Sequence, residues 1–325
     1  MKLFWVECCR WALEKLRVYR NNQVGNFVNF IEYVPKEESN MLLAPYIREN
    51  QNMIIFGDGG KGKSTLALKW GIDVALSRGP VIYLDWETDD AETWKHFIWL
   101  LNGQDLATPE NFYYMRMENT LVRSLQEVKR RVDEVKPVLI IMDSAGEASG
   151  SPSNDEMVLG HFAAMRSLNT AILQIAHIAR RGNDTDPYGS VFFKNYSRLC
   201  LRIDGEREGN STLVAISETK GNNAAPLPPA ALRFTFDETM ETITVVPDNP
   251  QHVEAVAGRQ SIADQIWDAL EPGPLTVPQL AEILGKPGNS IRAVLGRHSP
   301  SGKNSTRFVK SISSDRWGRL YPDEH

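Results

Sequence analysis

The chain has 325 residues and a net charge of −5, and its apolar fraction of 42% and charged fraction of 24% are those of an ordinary globular protein. No apolar run approaches the ~20 residues of a membrane span, and charged residues interrupt the N-terminal stretch, so we expect neither a membrane partner nor a signal peptide. The three cysteines, Cys8, Cys9 and Cys200, lack metal-ligand spacing. They predict a cytoplasmic protein without a zinc site.

The first part of the chain, residues 1–44, is predicted to be an N-terminal helical arm and connector. Apolar residues recur close to helical spacing over residues 3–19, which predicts an amphipathic helix. The pattern leaves open whether this helix covers its own domain or packs on a neighbouring subunit. Residues 21–52 are irregular and contain two prolines, so we expect a connector there.

Residues 57–65 fit the phosphate-loop pattern G-x-x-x-x-G-K-[ST] at every fixed position. Apolar residues 53–56 predict a buried strand before it and residues 66–76 a helix after it, which is the context that the motif requires. A glycine-rich turn without a ligand is the disfavoured alternative. The sequence therefore predicts a site for ATP and Mg²⁺. Its candidate binding residues are Gly57, Asp58, Gly59, Gly60, Lys61, Gly62, Lys63, Ser64 and Thr65.

Each part of this loop has a chemical reason. Glycines let consecutive backbone N–H groups and the helix N-terminus point at the β-phosphate. Lys63 supplies positive charge to the β- and γ-phosphate oxygens, and Ser64 is the expected Mg²⁺ ligand.

After the loop, strand-like and helix-like segments alternate, which predicts a mostly parallel sheet with helices on both faces. We expect strands at 81–85, 112–115, 138–144 and 171–175, helices at 91–101, 121–135 and 155–168, and further strands at 199–203, 213–216, 232–236 and 242–246. The predicted fold class is α/β, with an ATPase core over residues 45–247.

Three strand ends carry candidate catalytic groups. Asp143 ends an apolar strand, where an acid holds the Mg²⁺ shell through a water, although it is also the place for a simple strand-capping acid. Glu87 is the candidate to polarise the attacking water, with a surface acid as the alternative. His177 is a candidate sensor of the γ-phosphate, whereas most single histidines at strand ends have no such role.

Residues 248–258 are polar and weakly patterned, which predicts a linker. Residues 259–325 then predict helices at 262–270, 276–284 and 289–297, closed by a hairpin over 308–321. Three helices and a hairpin are the arrangement of a small winged-helix domain.

This C-terminal region is strongly basic. Residues 286–320 carry eight basic residues and one acidic residue, a charge of +7, which leaves −12 for the rest of the chain. Segregated charge favours a polyanion partner, although a protein-interaction module with a solvated basic face is an alternative. We expect DNA, duplex in this region, to contact Arg292, Arg297, Lys310, Arg316 and Arg319.

Several motifs of the chain form a recognisable series: the phosphate loop, Glu87, Asp143-Ser144, His177 with the arginine-rich loop after it, Gly189-Ser190 followed by Arg198, and Thr219-Lys220-Gly221-Asn222. Together they resemble the RecA-like core of RepA-type hexameric replicative helicases. The resemblance covers about residues 45–245. The resemblance implies a catalytic glutamate at Glu87 and a γ-phosphate sensor at His177.

The same resemblance implies an arginine finger at Arg198 that reaches a neighbouring subunit's site, with Lys220 beside it at that interface. It also implies that the loop at 178–188 contacts single-stranded DNA in a central channel through Arg180 and Arg181. The pattern departs from the family after His177, where Ile178 replaces the second histidine that the family often has.

The sequence thus predicts an ATP-hydrolysing DNA helicase or translocase of replication. We expect it to act as a ring-forming homo-oligomer, a hexamer. Two alternatives stay open. One is a DNA-stimulated, recombinase-like or mediator ATPase that does not unwind, and the other is a regulator in which ATP switches a DNA-binding winged helix. A small-molecule kinase is disfavoured because no second substrate pocket is evident in the sequence.

Overall fold

The structure is a computed structural model that describes residues 40–178, 186–222, 226–253, 256, 261–302, 307–311 and 314–320. The predicted N-terminal helix at 3–19 and the predicted DNA contacts Arg180 and Arg181 lie outside these residues. Among the helices described, none is both long enough and apolar enough to cross a membrane.

Among the described residues, nine strands form one central sheet. The strands are β3 (Asn52–Gly57), β4 (Val81–Asp85), β5 (Phe112–Arg116), β6 (Leu139–Asp143), β7 (Ala171–His177), β8 (Leu199–Glu208), β9 (Ser211–Gly221), β10 (Ala230–Asp237) and β11 (Thr242–Asp248), preceded by a separate hairpin of β1 (Met41–Leu43) and β2 (Ile47–Arg48). Their order is β11-β10-β9-β8-β3-β7-β6-β4-β5. Strands from β5 to β8 in this order pair in parallel, and β9, β10 and β11 continue as an antiparallel meander. The predicted α/β fold with a mostly parallel sheet is confirmed.

Helices cover both faces of this sheet. They are α1 (Lys63–Ser77), α2 (Asp90–Asn102), α3 (Leu121–Val135), α4 (Ala145–Ser149), α5 (Asp155–Arg166) and α6 (Phe192–Tyr196). Alternate residues of each strand point to opposite faces. Ile55 therefore packs with α1 and α2, and Ile54 with α3, α4 and α5. Burial on both faces explains why β4 and β6 read as unbroken apolar runs in the sequence.

The sequence does not predict three short elements: the β1–β2 hairpin, α4 and α6. The two strands of the hairpin have three and two residues, and each of the two helices has five. Such segments are too short to establish a period in the hydrophobic pattern. The hairpin occupies part of the segment for which the sequence predicts an irregular connector, and it is anchored because Tyr46 stacks on Trp70 of α1.

A second, smaller cluster of elements follows. It contains α7 (Ile262–Ala269), β12 (Leu275–Thr276), α8 (Val277–Leu284), α9 (Gly288–Arg297), β13 (Phe308–Lys310) and β14 (Arg316–Arg319). The three strands form their own sheet in the order β12-β14-β13, and the three helices share a core with Phe308. α8 starts where its cap predicts, since Thr276 and Gln279 form a capping box. α9 starts one residue before the predicted position 289, after Pro287 and without a side-chain cap. Its function as a winged-helix domain stays a prediction.

The predicted linker at 248–258 is partly packed against the sheet. A 3-10 turn, Pro250–His252, follows β11, and Val253 and Val256 are buried with Leu213 and Ala231. The division into domains at 1–44, 45–247, 248–258 and 259–325 stays a prediction.

His161 and Gln174 form a buried polar pair between α5 and β7. Both side chains have no exposed surface, and Nε2 of His161 lies 2.9 Å from Oε1 of Gln174. Burial lowers the pKa of His161 to about 4, against the smaller opposing effect of the hydrogen bond to Gln174. The folded protein therefore strongly prefers the neutral imidazole.

This preference predicts an acid-sensitive stability. Unfolded His161 has the ordinary pKa of about 6.5, so the unfolded chain binds the proton more tightly and stability falls as pH drops from about 6.5 to 4. We expect a loss of about 2 kcal/mol between pH 7 and about pH 5 from this residue. Urea unfolding of the wild type and of His161→Gln at both pH values measures it. The prediction fails when both proteins lose the same free energy on acidification.

Candidate functional site

The phosphate loop joins the end of β3 to the start of α1. Gly60 and Gly62 have φ values of 68° and 81°, a left-handed conformation that favours glycine. Gly62 has no side chain to cap the first turn of α1, and that turn carries no acidic residue. The first N–H groups of α1 are therefore open to an anion.

Strand β8 braces this loop from the side. A Cβ atom at Gly57 would lie 2.1 Å from the carbonyl oxygen of Ile203, and one at Gly205 would lie 2.6 Å from that of Lys61. Only glycine fits at these two contacts, so the loop and the β8 backbone approach each other directly.

Lys63 lies at the base of the loop. Its side chain is largely buried, and its Nζ donates to the carbonyl oxygen of Asp58 at 2.6 Å. Burial lowers the pKa of Lys63, while the carboxylates of Asp143 and Glu87 act in the opposite direction. The ammonium group is thus held in a low-dielectric position where its attraction for a phosphate is strong.

Asp143 lies beneath the loop at the end of β6 and is 1% exposed. The Tyr83 hydroxyl donates to its Oδ2 at 2.7 Å, whereas its buried Oδ1 has no hydrogen-bond partner among the described residues. Burial raises the pKa of Asp143 to about 6, and the hydroxyls of Ser64 and Tyr83 act against this rise. A buried oxygen without a donor, beside a serine hydroxyl, fits the oxygen ligands that Mg²⁺ takes together with nucleotide phosphates.

Glu87 and His177 approach each other across the ends of β4 and β7. Nε2 of His177 lies 3.5 Å from Oε1 of Glu87, and about half of each side chain is exposed. The hydrogen bond from His177 lowers the pKa of Glu87, while partial burial acts to raise it. The sequence predicts each residue for the site, but it carries no signal that the two are in contact.

One cleft of about 360 Å³ contains most of the predicted site residues. It is lined by residues 59–65, Glu87 and His177, with Asp143 just below its floor. The sequence analysis missed the contribution of α2, which presents Glu92, Thr93 and His96 to the same cleft. Their spacing places them on one face of that helix, a signal that becomes readable only once the cleft's position is known.

Arg198 is placed elsewhere. Its backbone N–H donates to the carbonyl oxygen of Asn52 at 2.9 Å, at the start of β3, whereas the phosphate loop follows the end of β3. Its exposed side chain lines a second cavity, of about 470 Å³, together with Arg166 and Lys220. Arg198 and the phosphate loop of the same chain therefore lie at opposite ends of the parallel strands.

The ammonium group of Lys220 is hydrogen-bonded within its own chain. Its Nζ donates to the carbonyl oxygens of Lys194, Asn195 and Ser197 at 2.7, 2.9 and 2.8 Å. These carbonyls belong to the C-terminal end of α6, where a cation compensates the helix dipole. Lys220 thus stabilises α6, and Arg198 and Arg166 are the exposed cations of this cavity among the described residues.

The predicted DNA-contacting residues near the C-terminus fall into two groups. Four of them are exposed: Arg292, Arg297, Lys310 and Arg316. Arg319 has only 12% of its side chain exposed, donates to the carbonyl oxygen of Trp267 at 2.6 Å and lies over the Trp267 ring. Arg319 therefore contributes to the packing of its own unit.

A strand, glycine-rich loop and helix within a mostly parallel sheet, with a buried acid at the end of a nearby strand, define a RecA-like P-loop ATPase. A family model described as AAA domain matches residues 25–183. The chain is 27% identical over 205 residues to DNA repair protein RadA of Streptococcus pyogenes serotype M1, with 60% of this chain and 42% of that protein covered.

DNA repair protein RadA of Streptococcus pneumoniae is 28% identical over 181 residues, with 53% of this chain and 40% of that protein covered. The chain thus spans about two-fifths of the length of the curated relatives it matches. Among solved structures, the flagellar accessory protein FlaH from Methanocaldococcus jannaschii gives a TM-score of 0.44 at 15% identity, covering 62% of this chain and 90% of that one.

Proposed function

We propose that the protein is an ATP-driven DNA helicase or translocase that works as a ring of identical subunits. The observation that carries this proposal is the separation between the nucleotide cleft and Arg198, the residue to which the resemblance assigns the arginine finger. The phosphate loop, Glu87 and His177 share a cleft, while the exposed Arg198 lies at the opposite end of the parallel strands. A complete site then needs a second copy of the chain.

Within each cleft, Lys63 and the N-terminal N–H groups of α1 hold the β- and γ-phosphates. Ser64 and Asp143 are the residues that hold Mg²⁺, which supplies charge stabilisation on the phosphates when bound. Glu87 orients and polarises the attacking water, and its depressed pKa keeps it an ionised acceptor. His177 reports the γ-phosphate through its contact with Glu87.

Arg198 acts in the neighbouring subunit's cleft, where a cation stabilises the charge that develops on the transferred phosphate. The contact is head-to-tail, because it joins the N-terminal ends of the parallel strands in one copy to the C-terminal ends of those strands in the next copy. Head-to-tail contacts that close give a ring, and the resemblance to hexameric helicases favours six subunits. Hydrolysis would then depend on assembly.

DNA is the proposed polyanion. The exposed basic residues of α9 and of the β13–β14 region, and the relatives named as DNA repair proteins, support this choice. Single-stranded DNA is expected in the central channel at the segment after His177, through Arg180 and Arg181, with duplex DNA at the C-terminal unit. Binding through such charges weakens steeply with salt.

A second candidate is a DNA-stimulated ATPase of repair or recombination that does not unwind. The named RadA relatives favour it. The two candidates differ in strand displacement on a forked substrate with ATP, which only the helicase shows.

The decisive experiment is light scattering with a non-hydrolysable ATP analogue and Mg²⁺, with and without a short single-stranded DNA. We expect a discrete assembly of about six subunits. An open series of larger masses supports the filament-forming candidate. A stable monomer or dimer under every condition contradicts the shared site, and an ATP-switched DNA-binding regulator then replaces it.

A further inference from the structure

Asp85 is a buried carboxylate that lies next to the cleft without lining it. It is the last residue of β4 and is 1% exposed. Its Oδ1 accepts the backbone N–H groups of Glu87 and Thr88, each at 2.9 Å. Its Oδ2 accepts the hydroxyls of Thr93 and Tyr114, each at 3.1 Å. The Arg116 guanidinium is a fifth, longer contact, with its Nη1 3.5 Å from Oδ1. Both carboxylate oxygens are therefore fully occupied within the protein.

These contacts join three elements. Thr93 belongs to α2, Tyr114 to β5, and the two N–H groups belong to the turn that carries Glu87. The backbone of Asp85 is held as well, because its carbonyl oxygen accepts from the N–H of Met117 at 2.8 Å. The carboxylate is therefore a fixed point to which the turn is attached.

The other side of the turn is also fastened. The N–H of Trp86 donates to the carbonyl oxygen of Asp143, and its indole Nε1 donates to the carbonyl oxygen of Asn119 at 2.8 Å. The Glu87 side chain is held less firmly than its backbone N–H: it is about half exposed, meets His177 at 3.5 Å and has a hydrogen bond with Ser144. The position of the Glu87 carboxylate is thus set by the turn beneath it.

We propose that Asp85 is the positioning residue for Glu87: it clamps the turn at 86–88 so that the Glu87 carboxylate stands between His177 and the phosphate loop. This inference rests on the proposed role of Glu87 in hydrolysis. Asp85 takes no part in proton transfer, because its carboxylate is buried and occupied by five donors, the Arg116 guanidinium among them. Its effect is geometric, and a displacement of about 1 Å at a reacting group can cost a hundredfold in rate.

Two substitutions separate geometry from charge. Asp85→Ala removes all five acceptor contacts, including the ion pair with Arg116. We expect kcat for ATP to fall about a hundredfold while the dissociation constant for the nucleotide changes less than about threefold. Asp85→Asn keeps Oδ1 for the two N–H groups, and its amide donates to the two hydroxyls, which can rotate to accept. We expect it to retain most of kcat. Equal losses in both variants would overturn the proposal in favour of a charge effect.

A double variant tests whether Asp85 acts through Glu87. If it does, Asp85→Ala combined with Glu87→Gln is no slower than Glu87→Gln alone, because the group being positioned is already disabled. Multiplying losses would contradict the inference. Wild-type turnover in Glu87→Gln, by contrast, would refute the proposed function of Glu87 and leave the clamp to be judged by the measurement that follows.

The clamp also has a readout that needs no activity. The amide protons of Glu87 and Thr88 donate to Asp85, so their hydrogen exchange should be slow in the wild type and in Asp85→Asn, and at least tenfold faster in Asp85→Ala. If Asp85→Ala does not fold, Tyr114→Phe removes one donor from outside the nucleotide cleft and should lower kcat about threefold. Unchanged exchange in a folded Asp85→Ala variant, or unchanged kcat in Tyr114→Phe, refutes the clamp.

Discussion

Replacing Lys63 with alanine is expected to reduce ATP turnover at least about a hundredfold while leaving the fold intact. The Lys63 ammonium is buried beneath the loop and hydrogen-bonded to the carbonyl oxygen of Asp58, so its removal takes away a preorganised charge and leaves a small void. Phosphate release under saturating ATP and Mg²⁺ measures the loss. Thermal unfolding shows whether the variant is folded.

Lys69→Ala is the matched control for this variant. Lys69 lies in the same helix, but its Nζ pairs with Asp73 and neither residue lines the nucleotide cleft. The control should hydrolyse ATP at close to the wild-type rate. A folded Lys63→Ala protein that also keeps its turnover would show that the nucleotide is bound elsewhere.

Replacing Arg198 with alanine should lower turnover by about a hundredfold or more, with nucleotide affinity unchanged. Its proposed role is to stabilise charge that develops only during transfer. Fluorescent nucleotide binding and phosphate release separate the two effects. Arg166→Ala, which removes another exposed cation of the same cavity, is the control. We expect it to keep most of the turnover.

Mixing the two inactive variants gives a sharper result. In a mixed assembly, an Arg198→Ala subunit offers an intact phosphate loop and a Lys63→Ala neighbour offers an intact Arg198. Equal amounts should restore about a quarter of the wild-type rate, since half of the loops and half of the neighbours are intact. No recovery in well-mixed assemblies would place Arg198 outside the active site. Arg202 would not replace it, because its side chain is buried and paired with Asp204.

The phosphate loop and the strands were predictable from the sequence because each is encoded locally. The residues Gly57 to Thr65 form a contiguous motif, and β4 and β6 are buried on both faces, which gives unbroken apolar runs. The acid at the end of β6 follows from the same pattern. Asp143 is indeed the last residue of β6, and its role as a Mg²⁺ ligand stays a prediction.

The contacts across the site were not predictable in this way. The approach of His177 to Glu87 depends on which strands are neighbours, and the clamp of Asp85 depends on hydroxyls from α2 and β5 that are distant in sequence. Lys220 shows the limit most clearly. Its motif resembles that of a subunit interface, yet its ammonium group is bound to three carbonyl oxygens of its own chain.

Strand β8 starts immediately after Arg198 and, a few residues later, passes in direct contact with the phosphate loop at Ile203 and Gly205. Because backbone atoms meet directly at these glycines, a shift of the loop on nucleotide binding would displace β8 and, with it, Arg198 at the start of the strand. Nucleotide binding in one cleft would then change the position of the Arg198 guanidinium in the neighbouring cleft. By linkage, occupancy of the next cleft would alter nucleotide affinity in the first by the same factor. Neighbouring clefts of the proposed assembly would therefore bind ATP cooperatively, because β8 couples the occupancy of one cleft to the nucleotide affinity of the next.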